Sequence, residues 1–344
     1  MRAKEIKNSI DLFDSLLENK SIYVELKTEF ISNVRGLIFD KYKTLKNFNS
    51  LFLGIDYPNL KHEFNQANYH NFVRWLKIIK DFEIDREELF ENVKGFRVSG
   101  SHSRNSVFLN RNIKIDEKFV EGYALYIAEG DTGLSGKAIP KKLRFTNANI
   151  EVIKFFIDWI KIFFPDNYFY LNVILPPNLS VENNFSEIIS KKLGIEIGDV
   201  KIKHGKYNKK IKYKVCLGSA IIIDLLLSLD KLVKGLCAKD KSLAVGYIKG
   251  IMAGEGTVYF NKSRYVRIEM KNEKEIKYVY SLLKRLKYDC KVSFRKERLG
   301  MCSIFIGAKQ LEKFYSEIGF GSENERNELL KLAVEKQLKV NQYI

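Results

Sequence analysis

Cysteine is scarce in this chain, and what there is lacks metal-binding spacing. The four residues, Cys216, Cys237, Cys290 and Cys302, include no CxxC pair. Scattered cysteines of this kind are expected as buried thiols, so neither disulfides nor a zinc site is predicted. The four histidines, His62, His70, His102 and His204, form no ligand pattern and are expected as surface or packing residues. Long apolar runs are missing too. The strongest, Ala220 to Leu229, contains Asp224 and is far too short to span a bilayer. No basic-then-apolar segment leads into a cleavage site, so an intracellular protein (cytoplasm or nucleoid) with no membrane partner is expected. Acid is in deficit: 42 Asp and Glu stand against 59 Lys and Arg, a net charge of +17. That imbalance predicts a polyanionic partner, nucleic acid before a membrane surface.

What is present suits a folded protein. Hydrophobic residues make up 45% of the chain and charged residues 29%, and 344 residues suffice for two or three domains. One pattern occurs twice. It reads Gly122-Tyr123-Ala124-Leu125-Tyr126-Ile127-Ala128-Glu129-Gly130 and again Ile248-Lys249-Gly250-Ile251-Met252-Ala253-Gly254-Glu255-Gly256. Each copy is an apolar helix with small residues four apart, Ala124 and Ala128 in one, Gly250 and Gly254 in the other. Positions i and i+4 share a helix face, and small faces let two backbones approach closely. Each copy closes on a carboxylate followed by glycine, the expected helix stop. If the helices pair, Glu129 and Glu255 emerge side by side. Two anions at helix C-termini repel each other and meet the negative ends of two macrodipoles. A divalent cation relieves both conflicts, and oxygen ligands suit Mg²⁺.

Around these copies the periodicity gives an order of elements. Residues 1–114 are expected to be mostly helical. A long helix is predicted from Tyr23 through Phe39, then Leu45 to Leu53 with Thr44 as N-cap, a break at Gly54, and helices over Tyr57 to Phe64 and His70 to Asp81. Helix, glycine turn, helix resembles the repressor-like helix-turn-helix, with Asn59, Lys61 and His62 as polar candidates. Gly95 to Arg104 reads as a basic linker. In 115–240, Lys137 to Asn147 alternates, with Lys142, Arg144 and Thr146 facing one way. Ile150 to Phe164 is an amphipathic helix, and Tyr168 to Leu175 is a strand. Residues 178–198 look like an insertion. Lys201 to Lys214 holds seven lysines and no acid. Its parity predicts a two-stranded ribbon with Lys201 and Lys203, then Lys210, Lys212 and Lys214, on one wet face, suited to phosphates in a DNA groove. In 241–344 the order recurs: strands over Val258 to Lys262 and Tyr265 to Lys271, a helix from Glu275, then a hairpin over Cys290 to Gly307 with Lys291, Ser293 and Arg295 outward. Each repeat therefore reads helix, two strands, helix, two strands, helix.

Both motif copies, and the order around them, resemble the LAGLIDADG homing endonucleases in single-chain, two-repeat form. Ala124 stands where glycine is usual, and both acids are Glu where Asp is common. The resemblance covers roughly residues 115–340. It implies an α+β fold: two pseudo-symmetric αββαββα repeats forming a saddle-shaped DNA-binding sheet, plus an N-terminal helical domain, in a monomer. It implies a Mg²⁺-dependent (or Mn²⁺-dependent) double-strand DNA endonuclease, with Glu129 and Glu255 at the metal beside Ala128 and Gly254, one acid per strand. Asn147 and Lys271, ending the second strand of each repeat, are the implied helpers of the water network. Lys142, Arg144, Arg264, Arg267, Lys291, Arg295 and the ribbon lysines are implied contacts to double-stranded DNA. Closing-helix positions that are often basic in the family read Ser322-Glu323-Asn324, which departs from the pattern. The same fold could serve a DNA-binding regulator or an RNA-splicing maturase.

Overall fold

A computed structural model describes residues 9–11, 22–65, 68–98, 107–131, 142–260, 263–295 and 300–341. Strand β1 (Ser9–Asp11) is followed by β2 (Ile22–Leu26), which occupies the start of the expected Tyr23–Phe39 helix. Its residues alternate buried and half-buried, the period-two signature of a strand with one face in the core. The helix starts later, at Thr28, and runs to Tyr42, burying Phe30, Val34 and Ile38 along one stripe. The expected Leu45–Leu53 helix is split. Thr44 does cap its first part, accepting from the Asn47 N–H at 3.0 Å, but Asn49–Leu53 is a π turn. Gly54, at φ 62°, then closes it and Tyr57–Asn65 follows as a helix. The next helix begins at Phe72 rather than His70, because His70–Asn71 forms strand β3. With β4 (Val93–Val98), these strands make a three-stranded antiparallel sheet in the order β3-β2-β4. The described N-terminal residues are thus mostly helical, with a three-stranded sheet in addition. Most of the expected basic linker lies outside the described residues. Strand β5 (Asn112–Lys114) pairs with β1 and leads into the core.

The Glu117–Glu129 helix starts on a true cap, Asp116 accepting from the Phe119 N–H at 2.9 Å. It passes straight into β6 (Gly130–Asp131), which pairs with β7 (Leu143–Asn147). After the Ile150–Phe163 helix come β8 (Phe169–Leu175), an inserted Phe185–Leu193 helix, β9 (Val200–His204) and β10 (Lys212–Leu217). The sheet order is β6-β7-β10-β8-β9. β9 is an extra strand, parallel to β8 at the sheet edge. The second repeat opens with the Lys241–Glu255 helix and forms β11 (Gly256–Tyr259), β12 (Tyr265–Met270), the Glu273–Arg285 helix, β13 (Cys290–Arg295) and β14 (Met301–Gly307). Its order, β11-β12-β14-β13, repeats the first sheet without the extra strand. Helices Leu311–Glu317 and Asn324–Asn341 close the chain.

In both sheets one face is apolar and lies on helices. Leu143, Phe145, Leu171, Val173, Val215 and Leu217 are buried in the first, and Val266, Ile268, Ile304 and Ile306 in the second. Phe145 and Phe156 stack at 4.1 Å between sheet and helix. A polar network braces the helix pair, with the Tyr247 hydroxyl donating to Glu275 at 2.6 Å and Lys234 to the other oxygen at 2.9 Å. The four cysteines are buried free thiols. Among the described residues, no helix is long and apolar enough to cross a membrane.

Candidate functional site

The Glu117–Glu129 and Lys241–Glu255 helices pack along their length through their small faces. A Cβ on Gly250 would lie 2.2 Å from the Glu121 carbonyl oxygen and 2.7 Å from the Leu125 nitrogen. One on Gly254 would lie 2.8 Å from Ala128 Cβ and 2.9 Å from Glu129 Cγ. Backbone meets backbone, as the spacing of small residues predicts. Gly246, one turn earlier, belongs to the same stripe, facing the Glu117 carbonyl at 2.6 Å. Its signal was the same four-residue spacing, carried one step further back. The two glycines after the acids stop their helices as expected, though by another geometry. Gly130 (φ −72°, ψ 143°) and Gly256 (φ −80°, ψ 150°) are extended, not left-handed caps. Space demands them: a Cβ would meet the Tyr126 carbonyl oxygen at 2.3 Å in one and that of Met252 at 2.5 Å in the other.

This packing brings Glu129 and Glu255 together at the shared C-terminal end. Burial is the first cause pushing the Glu129 carboxyl up to about 7, and the Glu255 charge adds to it. Arg326 and Lys212 oppose the rise. Glu255 is likewise raised, by burial first and by Glu269, with Arg326 opposing. Arg326 carries no signal in the sequence. Its Nη1 donates to the carbonyls of Met252, Ala253 and Gly254 at 3.3, 3.2 and 3.3 Å. Its Nε lies 2.9 Å from Glu323, whose other oxygen accepts from Asn149. The Gly254 carbonyl, expected beside the metal, is thus engaged by a guanidinium, and Glu323 in the unusual Ser322-Glu323-Asn324 stretch anchors that guanidinium.

Asn147 shares the parity of buried Leu143 and Phe145, and its side-chain oxygen accepts from the Asn149 N–H at 2.8 Å, a turn-forming use. Lys271 is exposed just past β12. Lys212 is the lysine whose charge reaches Glu129.

The expected basic ribbon is not a hairpin. β8 lies between its two strands, pairing with β10 on one side and β9 on the other. The lysines still share a face, because the register puts Lys214 beside Thr146 and Asn172, Lys212 beside Ile174, and Asn172 and Ile174 beside Lys201 and Lys203. Arg144, opposite Cys216, lies on that face and is bridged to Asp131 at 3.4 Å. Lys201 covers the Tyr170 ring at 4.6 Å. Lys142 precedes β7, and Lys210 sits in the loop before β10 rather than in a strand. On the second sheet, Thr257, Arg267, Phe305 and Lys291 share the outward face, and Arg295 follows at the β13 end on the same parity. Arg267 is tied to Glu269 at 3.1 Å and lies over Tyr259 at 5.0 Å. Arg264 lies before β12 and off that parity.

Whether the acids suit a metal depends on how much the protein must supply. Among the described residues no group of three or more His, Cys, Asp or Glu side chains could hold an ion. Mg²⁺ is commonly bound by one or two carboxylates, with waters and substrate phosphates completing the shell. Two half-buried carboxylates with raised proton affinity at negative helix ends fit that demand.

The molecule so described is an α+β protein of two pseudo-symmetric repeats joined through paired helices. No protein-family model matches it. No curated protein matches it either. Among solved structures it is similar to the homing endonuclease I-DmoI in complex with DNA and Ca, at 14% identity over 59% of this chain and 91% of that one, with a TM-score of 0.38. It is similar to I-WcaI bound to its DNA recognition sequence, at 14% identity over 60% and 82%, with a TM-score of 0.35. The N-terminal LAGLIDADG domain of DUF199/WhiA matches at 12% identity over 59% and 82%, also at 0.35. At these values the likeness says what the chain resembles, and the site stands on its own geometry.

Proposed function

We propose that the protein is a metal-dependent, site-specific DNA endonuclease that cuts both strands of a duplex. The observation that carries this reading is the meeting of Glu129 and Glu255 at one end of a glycine-faced helix pair, with a basic outward face on each flanking sheet. Duplex DNA lies across those outward faces in a saddle. Lys201, Lys203, Lys212, Lys214 and Lys291 meet phosphates, and Arg144 and Arg267, held by Asp131 and Glu269, read base edges. Glu129 serves one strand and Glu255 the other. A divalent ion bound there supplies an activated water and stabilises the leaving oxygen. The protein contributes two carboxylates fixed by helix packing, a partly desolvated setting, and Lys212 as the cation near Glu129. The test is a screen of randomised duplex DNA with Mg²⁺. One preferred site, cut on both strands with a short stagger, is the expected result.

A regulator that binds DNA without cutting it is the second reading. One observation favours it: the Gly254 carbonyl is already engaged by Arg326. Tight sequence-selective binding with no cut in any duplex decides for it.

A further inference from the structure

The two halves of the acid site are not equivalent. On the Glu255 side, Arg326 donates to three of the last carbonyls of its helix, groups that would otherwise be orphaned. The side chain is not a loose surface cation. Glu323, 4% exposed, holds its Nε, and Asn149, the N-cap of the Ile150–Phe163 helix, holds Glu323 in turn. On the Glu129 side, among the described residues, no side chain donates to the carbonyls of Ile127 or Ala128. The Ala220–Ser228 helix, which follows the first sheet as the closing helices follow the second, packs on β4 and β7 instead.

The sheets differ in the same sense. Gly130 pairs with Phe145 and Phe145 with Val215, while Gly256 pairs with Ile268 and Ile268 with Ile304. Val215 and Ile304 therefore correspond, and so do Lys212 and Met301. The same register matches Thr146 with Glu269. The charge of Arg326 reaches both acids, but its hydrogen bonds go to the Glu255 helix end. The Glu129 half has in addition the exposed Lys212, and the Glu255 half the acid Glu269.

We propose that Arg326 is a resident cation of the Glu255 half, so that the first divalent ion is received on the Glu129 half and a second enters only against Arg326. This rests on the metal reading given above. A guanidinium keeps its proton throughout the working pH range. It occupies carbonyl lone pairs that an incoming ion would need, and it repels that ion at close range. Arg326 is a positioning residue here, acting through the helix end rather than on substrate.

Mn²⁺ binding to the full chain, followed by the electron spin resonance of free Mn²⁺ and by calorimetry, tests this without DNA or turnover. The unaltered protein should bind one ion well. Glu129→Gln should weaken it by at least about tenfold, within the range known for altered metal surroundings, whereas Glu255→Gln should leave it nearly unchanged. Arg326→Gln should admit a second ion, which Arg326→Gln with Glu255→Gln should lose. It should also melt lower than the unaltered protein without metal, and Mn²⁺ should restore more of its stability. If Arg326→Gln does not fold, the comparison of the two acids in the Arg326 background decides alone. Equal weakening by Glu129→Gln and Glu255→Gln, or an unchanged stoichiometry in folded Arg326→Gln, overturns the proposal and leaves the nuclease reading standing. No Mn²⁺ bound by any form overturns both the proposal and the metal part of that reading.

Discussion

Glu129 holds its proton to about 7, and that fact has two opposite consequences. An acid whose folded pKa lies above its ordinary 4.5 binds more protons folded than unfolded between those values. Stability of the metal-free protein therefore falls as pH rises through that window. Metal binding goes the other way, since only the carboxylate is a ligand. Burial sets this balance first, then Glu255, with Arg326 and Lys212 opposing. Glu121, on the same helix, is raised to about 7 by burial, against Lys249 and with Glu117. It adds to the same slope. Chemical denaturation from pH 5 to 8 should show stability declining, with a shallower decline in Glu129→Gln and not a flat one. An unchanged slope would mean that Glu129 is solvated. For turnover, either Glu129→Gln or Glu255→Gln should abolish double-strand cleavage while DNA affinity stays nearly intact, because each acid serves metal rather than phosphate. A single variant still making full double-strand breaks would refute the assignment. Tyr247 offers a check on the scaffold alone. Removing its hydroxyl in Tyr247→Phe leaves buried Glu275, 2% exposed, with Lys234 as its remaining side-chain donor. A loss of about 1–3 kcal/mol in unfolding free energy is expected for an under-bonded buried group.

At the level of elements, the helix pair decides whether the site exists. A methyl group on Gly250 already invades the Glu121 carbonyl at 2.2 Å, and backbone cannot turn aside as a side chain can. Gly250→Ala should cost about 1–3 kcal/mol, the usual range for overpacking, and Gly250→Leu more, with loss of the acid pair's geometry. An unchanged melting temperature for Gly250→Leu would show that this face does not meet the partner helix. The close approach of the two helices is readable in the sequence because it is local arithmetic: small residues four apart, twice, each run ending in an acid. Strand faces are readable for the same reason, as parity at Arg144, Lys212, Lys214 and Lys291 shows. Pairing partners are not. Parity says which way Lys201 and Lys214 point but not that β8 runs between their strands, a fact set by the inserted Phe185–Leu193 helix and its crossover. Tyr23–Leu26 reads as helix in the sequence because the alternation of Ile22–Leu26 is only five residues long and abuts a real helical stripe. Arg326 leaves no local trace at all. It reaches a helix end 74 residues away in sequence through chain closure, and only the fold places it.

Across the whole molecule, the excess positive charge becomes a surface only when the sheets form. Lys201 and Lys203 on β9, and Lys212 and Lys214 on β10, come from strands that never touch, yet they line one face because β8 aligns them. The second sheet puts Lys291 on its matching face, with Arg267 partly neutralised by Glu269. The first sheet is therefore the wider and more basic of the two. Replacing Lys201, Lys203, Lys212 and Lys214 together by Gln keeps length and polarity while removing that charge. Each lysine taken away from a phosphate should flatten the dependence of log K on log salt by about 0.9, so a flattening of about 3–4 is the ceiling if all four reach DNA. Affinity should fall for every duplex alike, since lysines that meet phosphate carry no base information. Folding should suffer little, because exposed changes usually cost about 0.5 kcal/mol or less. Lys201 is the exception. It lies 4.6 Å from the Tyr170 ring centre, and that interaction is worth about 0.5–1 kcal/mol at an exposed site. Fluorescence anisotropy of a long duplex across a salt series measures the slope directly. A slope that does not change would put the extra strand and its neighbours in solvent. The DNA would then have to lie against the second sheet, whose described outward face carries less positive charge.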